Sequence, residues 1–395
     1  MSFTSFTPQD KASEELLDQV VQIVRLDTDL QAKIPRSLRV PMTNLLRVVN
    51  SYYSNKIEGN CTAPADILRA EAQDAPLEVE ASKDLQEITR HIEAQRRLTD
   101  DPINPVEVSS RDGISRLHRE FYVGVPMQVL DTQLNEQGDV VRMVPGEFRQ
   151  YDVRVGHHIP PTVEQMQAHL RQFERVYRPD WIHGLSRFLA AAAAHHRLMW
   201  IHPFMDGNGR TGRLFTDQYL KAAGFGGYEL WSMSRGFARN TTVYYGMLNA
   251  ADHPRKGDQD GRGILSDSGL QRWTRYFTET ALDQVQYFNA QLDPERLSER
   301  IDIYFELRRR GALSDSTGSA LPDLRIEARD VYKTLLYMGD QPRAELQARL
   351  GVGERNTLGL LSQMAKEGLI TLDGRKPVSL NLSRHSIKLL FPYLW

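Results

Sequence analysis

The sequence predicts a mainly α-helical protein with one small β-hairpin and a C-terminal winged helix-turn-helix. Three observations predict this class. Apolar residues recur at helical spacing from residue 11 to about residue 310. Strand-like alternation is confined to a short segment near residues 140 to 156. Beyond the turn-forming stretch GALSDSTGSALPD (311–323), three helical patterns lead into two strand-like runs around Asp373 and Gly374. The chain thus divides into an N-terminal helical region (1–110), a central helical core (111–310), a linker (311–326) and a winged-helix unit (327–395).

At 395 residues the chain is long enough for two or three domains. Its formal net charge is only -2, with 25% charged residues, so no overall field favours nucleic acid or acidic membranes. A single cysteine, Cys61, excludes an internal disulfide framework. The N-terminus lacks the apolar run of a secretory signal, and no window approaches about 18 uninterrupted apolar residues. A cytoplasmic protein with no membrane span is the expectation.

Taken in order, VPMTNLLRVVNSYYSNKI (40–57) reads as a helix with Pro41 near its first turn and a break at Gly59-Asn60. Ser54 and Glu58, four apart, share one of its faces. PGEFRQYDVRVGHHIPP (145–161) suits a hairpin lying over a site, with alternation from Asp152 to Val155 and a Pro-Pro end. WIHGLSRFLAAAAAHHRLMW (181–200) places five alanines among large apolar residues, which suits a buried central helix with close neighbours on several sides. His202-Pro203 ends it, residues 202 to 207 are loop, and a new helix should run from near Asn208 to a stop at Gly224. In SRGFARNTTVYYGML (234–248), Tyr244 and Tyr245 supply either an aromatic wall or plain core, and helical spacing does not choose between them.

The loop-helix junction HPFMDGNGRTGR (202–213) carries the chemistry. Its Asp-Gly-Asn-Gly resembles the middle of a calcium loop, but with Asp206 as the third ligand the first would be Phe204 and the last Phe215, and neither can ligate an ion. The opening N–H groups of a helix lack intrahelical partners and carry the positive end of its dipole, and Gly207 and Gly209 leave them sterically open to an anion. Arg210 and Arg213, three apart, can present guanidinium forks to phosphate oxygens. Asp206 is a hard oxygen ligand suited to magnesium, and His202, with an ordinary pKa of about 6.5, can take a proton from a hydroxyl. No G-x-x-x-x-G-K-[ST] loop or kinase-type set is present, which disfavours the common γ-phosphoryl transfer.

HPFMDGNGRTGR matches in full the H-P-F-x-[DE]-G-N-G-R-x-x-R signature of Fic-domain proteins, and the preceding HHRLMWI resembles that family too. The resemblance implies a Fic-type helical core with a hairpin flap. It also implies adenylyl transfer (AMPylation), in which a Ser, Thr or Tyr hydroxyl of a target protein, or of the enzyme itself, attacks the α-phosphorus of ATP with Mg2+ as cofactor. By the same resemblance His202 is the general base and Asp206 the magnesium ligand. Gly207, Asn208 and Gly209 form the anion hole, Arg210 and Arg213 hold the β and γ phosphates, and Phe204, Thr211 and Gly212 complete the nucleotide site. The flap would align the target by strand-like pairing, with Val155, Gly156, His157 and His158 near the nucleotide. A zinc site at His157-His158 is disfavoured because no third ligand follows at a recognised spacing. SNKIEGN (54–60) resembles the family's [ST]-x-x-x-E-[GN] inhibitory motif, which implies that Glu58 pairs with Arg213 and obstructs the γ-phosphate.

The C-terminal unit carries ten Lys/Arg against seven Asp/Glu, weak electrostatic support for DNA binding. Arg355, Asn356, Gln363, Arg375 and Lys376 are placed where such a unit would read DNA, but winged helices also serve docking and assembly, including homo-oligomers. The leading expectation is therefore a self-inhibited, magnesium-dependent protein adenylyltransferase. One alternative is a bifunctional enzyme that also removes AMP through Glu58. Another is a winged-helix transcriptional regulator whose core senses nucleotide.

Overall fold

The computed structural model describes residues 2–72, 83–125, 130–133, 140–156, 158–314 and 318–395. Helices dominate. The N-terminal region holds α1 (Glu14–Lys33), α2 (Arg36–Ile57), α3 (Pro64–Ala72) and α4 (Lys83–Asp100). Next come α5 (Arg111–Phe121), a two-stranded antiparallel pair β1 (Asp131–Gln133) and β2 (Val140–Arg142), and α6 (Val163–Val176). The centre is α7 (Ser186–Ile201) and α8 (Asn208–Ala222), enclosed by α9 (Met233–Arg239), α10 (Thr241–Asp252), α11 (Asp267–Gln291) and α12 (Pro294–Arg309). The C-terminal part has α13 (Glu327–Met338), α14 (Arg343–Leu350), α15 (Glu354–Lys366), the short antiparallel strands β3 (Ile370–Thr371) and β4 (Ser379–Leu380), and α16 (Arg384–Leu390).

The central helix is buried all round, and its alanines are the reason. Ala190 to Ala194 are at most 1% exposed, and the small side chains let α8 and α11 approach the backbone of α7. Trp273 of α11 donates its indole N–H to the Ala192 carbonyl at 2.6 Å, possible only because no bulky side chain shields that carbonyl. The helix starts later than expected: residues 179 to 181 form a single 3-10 turn, and α7 begins at Ser186, after the left-handed Gly184.

Two other expectations shift. α2 begins at Arg36, directly after Pro35, so Pro41 lies inside the helix and costs it one backbone hydrogen bond. Helical spacing upstream of Val40 was masked by proline, which reads as a start signal from sequence alone. The hairpin is also displaced: the paired strands are 131–133 and 140–142, whereas 145–161 is irregular apart from one bridge between Val155 and His158. Alternation at Asp152 to Val155 did not become a strand because no partner strand lies beside it within the described residues.

The C-terminal helices pack on the rest of the chain. Ser37 of α2 donates to the Leu336 carbonyl at 2.8 Å. The buried Arg308 of α12 pairs with Glu367 at 2.7 Å and also donates to the Pro322 carbonyl. Beyond the strands, α16 was not expected from the sequence. Among the described residues no helix is long and apolar enough to cross a membrane.

The alanine run carries a stability prediction. Ala193→Leu should overpack the α7 interface and lower the unfolding free energy by roughly 1–3 kcal/mol, read as an earlier midpoint in urea denaturation.

Candidate active site

The site is built where α7 ends and α8 begins. His202 caps α7 in the left-handed conformation (φ 51, ψ 62), which turns the chain sharply into the loop. Gly207, also left-handed at φ 74, turns it again into α8, and a Cβ there would lie 2.4 Å from the Tyr122 hydroxyl. Between them Asn208 closes the loop on itself: its side chain accepts from Phe204 N at 2.9 Å and donates to Phe204 O at 2.8 Å. The side-chain amide of Asn208 is therefore committed to loop closure.

His202 sits beside the His158 ring at 6.3 Å. Burial, helped by the nearby His158, lowers its pKa to about 4, so the imidazole is neutral near pH 7 and free to accept a proton. Asp206 points outward with its side chain 57% exposed; Oδ1 accepts from Gly207 N at 2.6 Å.

The two arginines are both engaged by carboxylates from other helices. Arg210 donates to Glu87 of α4 at 2.9 Å and lies over the Phe121 ring at 4.8 Å. Arg213 is 1% exposed; it donates through Nε to Ser54 Oγ at 2.8 Å, and through Nη2 to Ser54 O at 2.9 Å and Glu58 Oε1 at 2.5 Å. Glu58 reaches over Gly209, where a Cβ would stand 2.2 Å from its Oε1. Side chains of SNKIEGN (54–60) and HPFMDGNGRTGR (202–213), far apart in sequence, are thus in direct contact.

That contact belongs to a longer register. Asn50 Nδ2 donates to Asp217 Oδ2 at 2.7 Å, Ser54 meets Arg213, and Glu58 meets Gly209. Each step of four along α2 is matched by a step of four back along α8, which keeps all three rungs on one face of each helix. Burial pushes the Asp217 carboxyl up to about 6 against hydrogen bonds from Tyr228 and Asn50. Several buried polar atoms around the rungs have no partner among the described residues: Arg210 Nε, Arg213 Nη1, Thr211 Oγ1 and the Tyr122 hydroxyl. Unpaired buried donors at a helix start are what an anion would satisfy.

Two positioning residues gave no sequence signal. Arg149, 1% exposed, donates through Nε to the His202 carbonyl at 2.9 Å, through Nη1 to Tyr151 O at 2.8 Å and through Nη2 to Pro161 O, so one guanidinium ties Tyr151 and Pro161 to His202. His118 of α5 accepts from Gly146 N at Nδ1, 2.8 Å, which leaves Nε2–H to donate to Asp206 O at 3.1 Å. Burial lowers its pKa to about 4, which keeps that acceptor available. Glu87, Asn50 and Asp217 were likewise not singled out, although Asn50 and Asp217 lie one helical step beyond Ser54 and Arg213.

Other expected site residues are used elsewhere. Tyr244 is fully buried, its hydroxyl 2.9 Å from His195 Nε2, so it is core. Tyr245 stays 43% exposed and donates to Ile57 O at 3.3 Å, against the end of α2. Phe204 is buried with its ring stacked 3.9 Å from His118, and Gly212 lies where a Cβ would meet Met199 Sδ at 2.6 Å; both serve packing. Val155 is exposed and Gly156 takes φ 58, while His157 lies outside the described residues. His158 is not a free nucleotide ligand: its ring bonds Trp200 O at 3.0 Å and Asp252 at 3.1 Å, fastening the loop to α7 and α10.

Neutral buried histidines make stability pH-dependent. His91, His118 and His202 have pKa values lowered to about 3, 4 and 4, in each case chiefly by burial. The unfolded chain then binds more protons between roughly pH 4 and pH 6.5, so stability should rise with pH across that window, with Asp217 opposing in part. Urea midpoints measured at about pH 4.5 and about pH 6.5 should show the higher value at the higher pH.

Residues 114–220 match the family model described as Fic/DOC family. The chain is 32% identical over 180 residues to proteins named Protein adenylyltransferase Fic from Drosophila erecta and Drosophila melanogaster, a match over 44% of this chain and 32% of each relative. The aligned stretch is thus about a third of the length of these curated relatives. Among solved structures, a Fic family protein from Desulfovibrio desulfuricans G20 superposes with a TM-score of 0.54 at 15% identity, over 95% of this chain and 98% of that one. Fic-1 from C. elegans superposes with a TM-score of 0.50 at 19% identity, over 71% of this chain and 73% of that one. Residues 114–220 are thus similar to the Fic/DOC family, and the chain has the mainly helical fold of the Fic family protein from Desulfovibrio desulfuricans G20.

Proposed function

We propose that the protein transfers AMP from ATP to a Ser, Thr or Tyr hydroxyl of a target protein, and to itself, and that Glu58 holds this activity in check. The observation that carries the reading is the Glu58 carboxylate on Arg213, over the open start of α8. A carboxylate and a phosphate compete for the same guanidinium and helix terminus. The matched relatives named as adenylyltransferases support the same chemistry.

In the proposed reaction the target hydroxyl oxygen bonds to the α-phosphorus, the bond to the bridging oxygen breaks, and pyrophosphate leaves. The neutral His202 takes the hydroxyl proton at its ring nitrogen. Backbone N–H groups at Asn208 and Gly209 stabilise charge on the α-phosphate, the Gly207 N–H being held by Asp206, and Arg210 and Arg213 take the departing phosphates once their carboxylate partners withdraw. Asp206 fits a magnesium ion: its carboxylate is exposed, and its two partners, Gly207 N at 2.6 Å and the Arg210 guanidinium at 3.9 Å, both meet Oδ1, which leaves Oδ2 for the ion. Among the described residues no cluster of three His, Cys, Asp or Glu forms, so the ion would be shared between Asp206 and substrate phosphates, as Mg2+ commonly is. When bound it neutralises phosphate charge.

The C-terminal unit reads as a winged helix used for docking or assembly. Arg355 and Asn356 are exposed, but Gln363 is occupied by Asp323 O at 2.7 Å and Glu367 at 3.1 Å, which removes one of the three candidate base readers on α15.

The test compares wild type, Glu58→Gly and His202→Ala with magnesium and ATP labelled at the α or γ phosphate. Only α label should reach protein, more in Glu58→Gly than in wild type. His202→Ala should lower the rate by roughly 10²–10⁴. Transfer of γ label would overturn adenylyl transfer. A second variant probes the steric contact: Gly209→Ala should expel Glu58 and raise α labelling unless the new methyl also blocks the nucleotide, in which case ATP binding, measured by calorimetry, falls instead.

A further inference from the structure

A groove of about 640 Å³ lies between α3, Ser314, Leu321 and Pro322, the end of α15 and α16, away from the α7–α8 junction. That volume falls in the range of small-molecule sites. Its floor is apolar, formed by Leu68, Leu321, Ile387 and Trp395. Its rim is basic: Lys366, Arg384 and Lys388 are exposed, and among the described residues none forms an ion pair. The acid in the groove, Glu367, is already committed to the buried Arg308 at 2.7 and 3.1 Å. Three unpaired cations over an apolar floor call for a ligand that brings both negative charge and apolar surface.

Two lining residues of the groove, Leu68 and Trp395, touch the apolar cluster that also holds α2. Trp395 and Leu68 pack on the apolar cluster of Val48, Ile67, Ile88 and Ile92, and so does Tyr52 of α2. The Trp395 ring stands edge-on to Tyr52 at 5.6 Å, and the Tyr53 hydroxyl donates to Leu394 O at 3.1 Å. Tyr52 and Tyr53 immediately precede Ser54, the residue that holds Arg213. α3 begins six residues after Glu58, so both ends of the motif connect to groove walls.

We propose that this groove is an effector site for a small organic anion with an apolar or aromatic body, and that occupancy tightens the hold of α2 on α8. A ligand that fits the shape present while Glu58 sits on Arg213 stabilises that arrangement by its differential affinity for it. Under the adenylyl-transfer reading, on which only this consequence rests, the ligand is an inhibitor. A nucleic-acid duplex does not suit the site, because it offers a row of phosphates and no apolar body to the floor.

The probe is anilinonaphthalene sulfonate, titrated by fluorescence into the full chain, with phenylnaphthylamine as its uncharged counterpart. Wild type should bind the sulfonate at one saturable site. The triple variant Lys366→Glu, Arg384→Glu, Lys388→Glu should weaken it by about tenfold or more. Ala65→Trp, which fills the groove from an exposed position, should also weaken it, with circular dichroism confirming that both variants fold. Unchanged titrations in both variants, or tighter binding of the uncharged counterpart, would overturn the site. Hydrogen exchange at residues 54–60 should slow with the sulfonate bound in wild type and not in the triple variant; unchanged exchange in wild type overturns the coupling. Neither measurement involves nucleotide, so both stand apart from the labelling result.

Discussion

The arrangement of the whole site depends on one buried cation. Arg213 lies inside the protein, and a guanidinium there is tolerable only with an anion and hydrogen-bond acceptors in place. Ser54 supplies two acceptors and Glu58 the charge. The Asn50–Asp217 contact one helical step away fixes the register in which those partners arrive. The positions of α2 and α8 are thus coupled through a charge that water does not reach. A nucleotide phosphate that displaced Glu58 would leave Arg213 paired, so exchanging one anion for the other conserves the requirement while changing its source.

A second constraint acts on the loop. His202 and Asp206 sit on a short segment with left-handed residues at both ends, His202 and Gly207, a geometry that does not hold itself. His118 holds the Asp206 carbonyl from one side and Arg149 the His202 carbonyl from the other, while Asn208 laces the interior. Both outer contacts also hold the 145–161 loop, through Gly146 in one case and through Tyr151 and Pro161 in the other. The surface over which a target would be laid and the residues proposed to act on it therefore share the same fasteners. The depressed pKa of His118 serves this role, since protonation would remove its acceptor for Gly146.

Legibility from sequence followed distance along the chain. Residues 202 to 213 were readable because turn, helix start and charged side chains fall within twelve positions, where local geometry dictates what neighbours what. Glu58 was readable by resemblance alone, since nothing local says that a helix end meets a position over 150 residues later. Arg149 and His118 were not legible: an arginine in a loop and a histidine on an amphipathic helix look the same whether they clamp a backbone or face solvent. Tyr244, open between wall and core in the sequence, is buried with its hydroxyl on His195, and His158, placed near the nucleotide by analogy, bonds the Trp200 carbonyl. The α7 core was legible from its alanines, while the start of α2 was hidden by Pro41 and the hairpin was misplaced because alternation does not specify a partner strand.

Gly209 has one consequence of its own. The missing side chain that opens the start of α8 to a phosphate is the same vacancy that admits the Glu58 carboxylate. Under the proposed reaction a substrate phosphate and the Glu58 carboxylate would enter by one door. A change of backbone geometry at Gly209 would therefore act on both at once. Where α2 stands depends also on contacts outside the pocket, through Ser37 on the Leu336 carbonyl and Tyr53 on the Leu394 carbonyl.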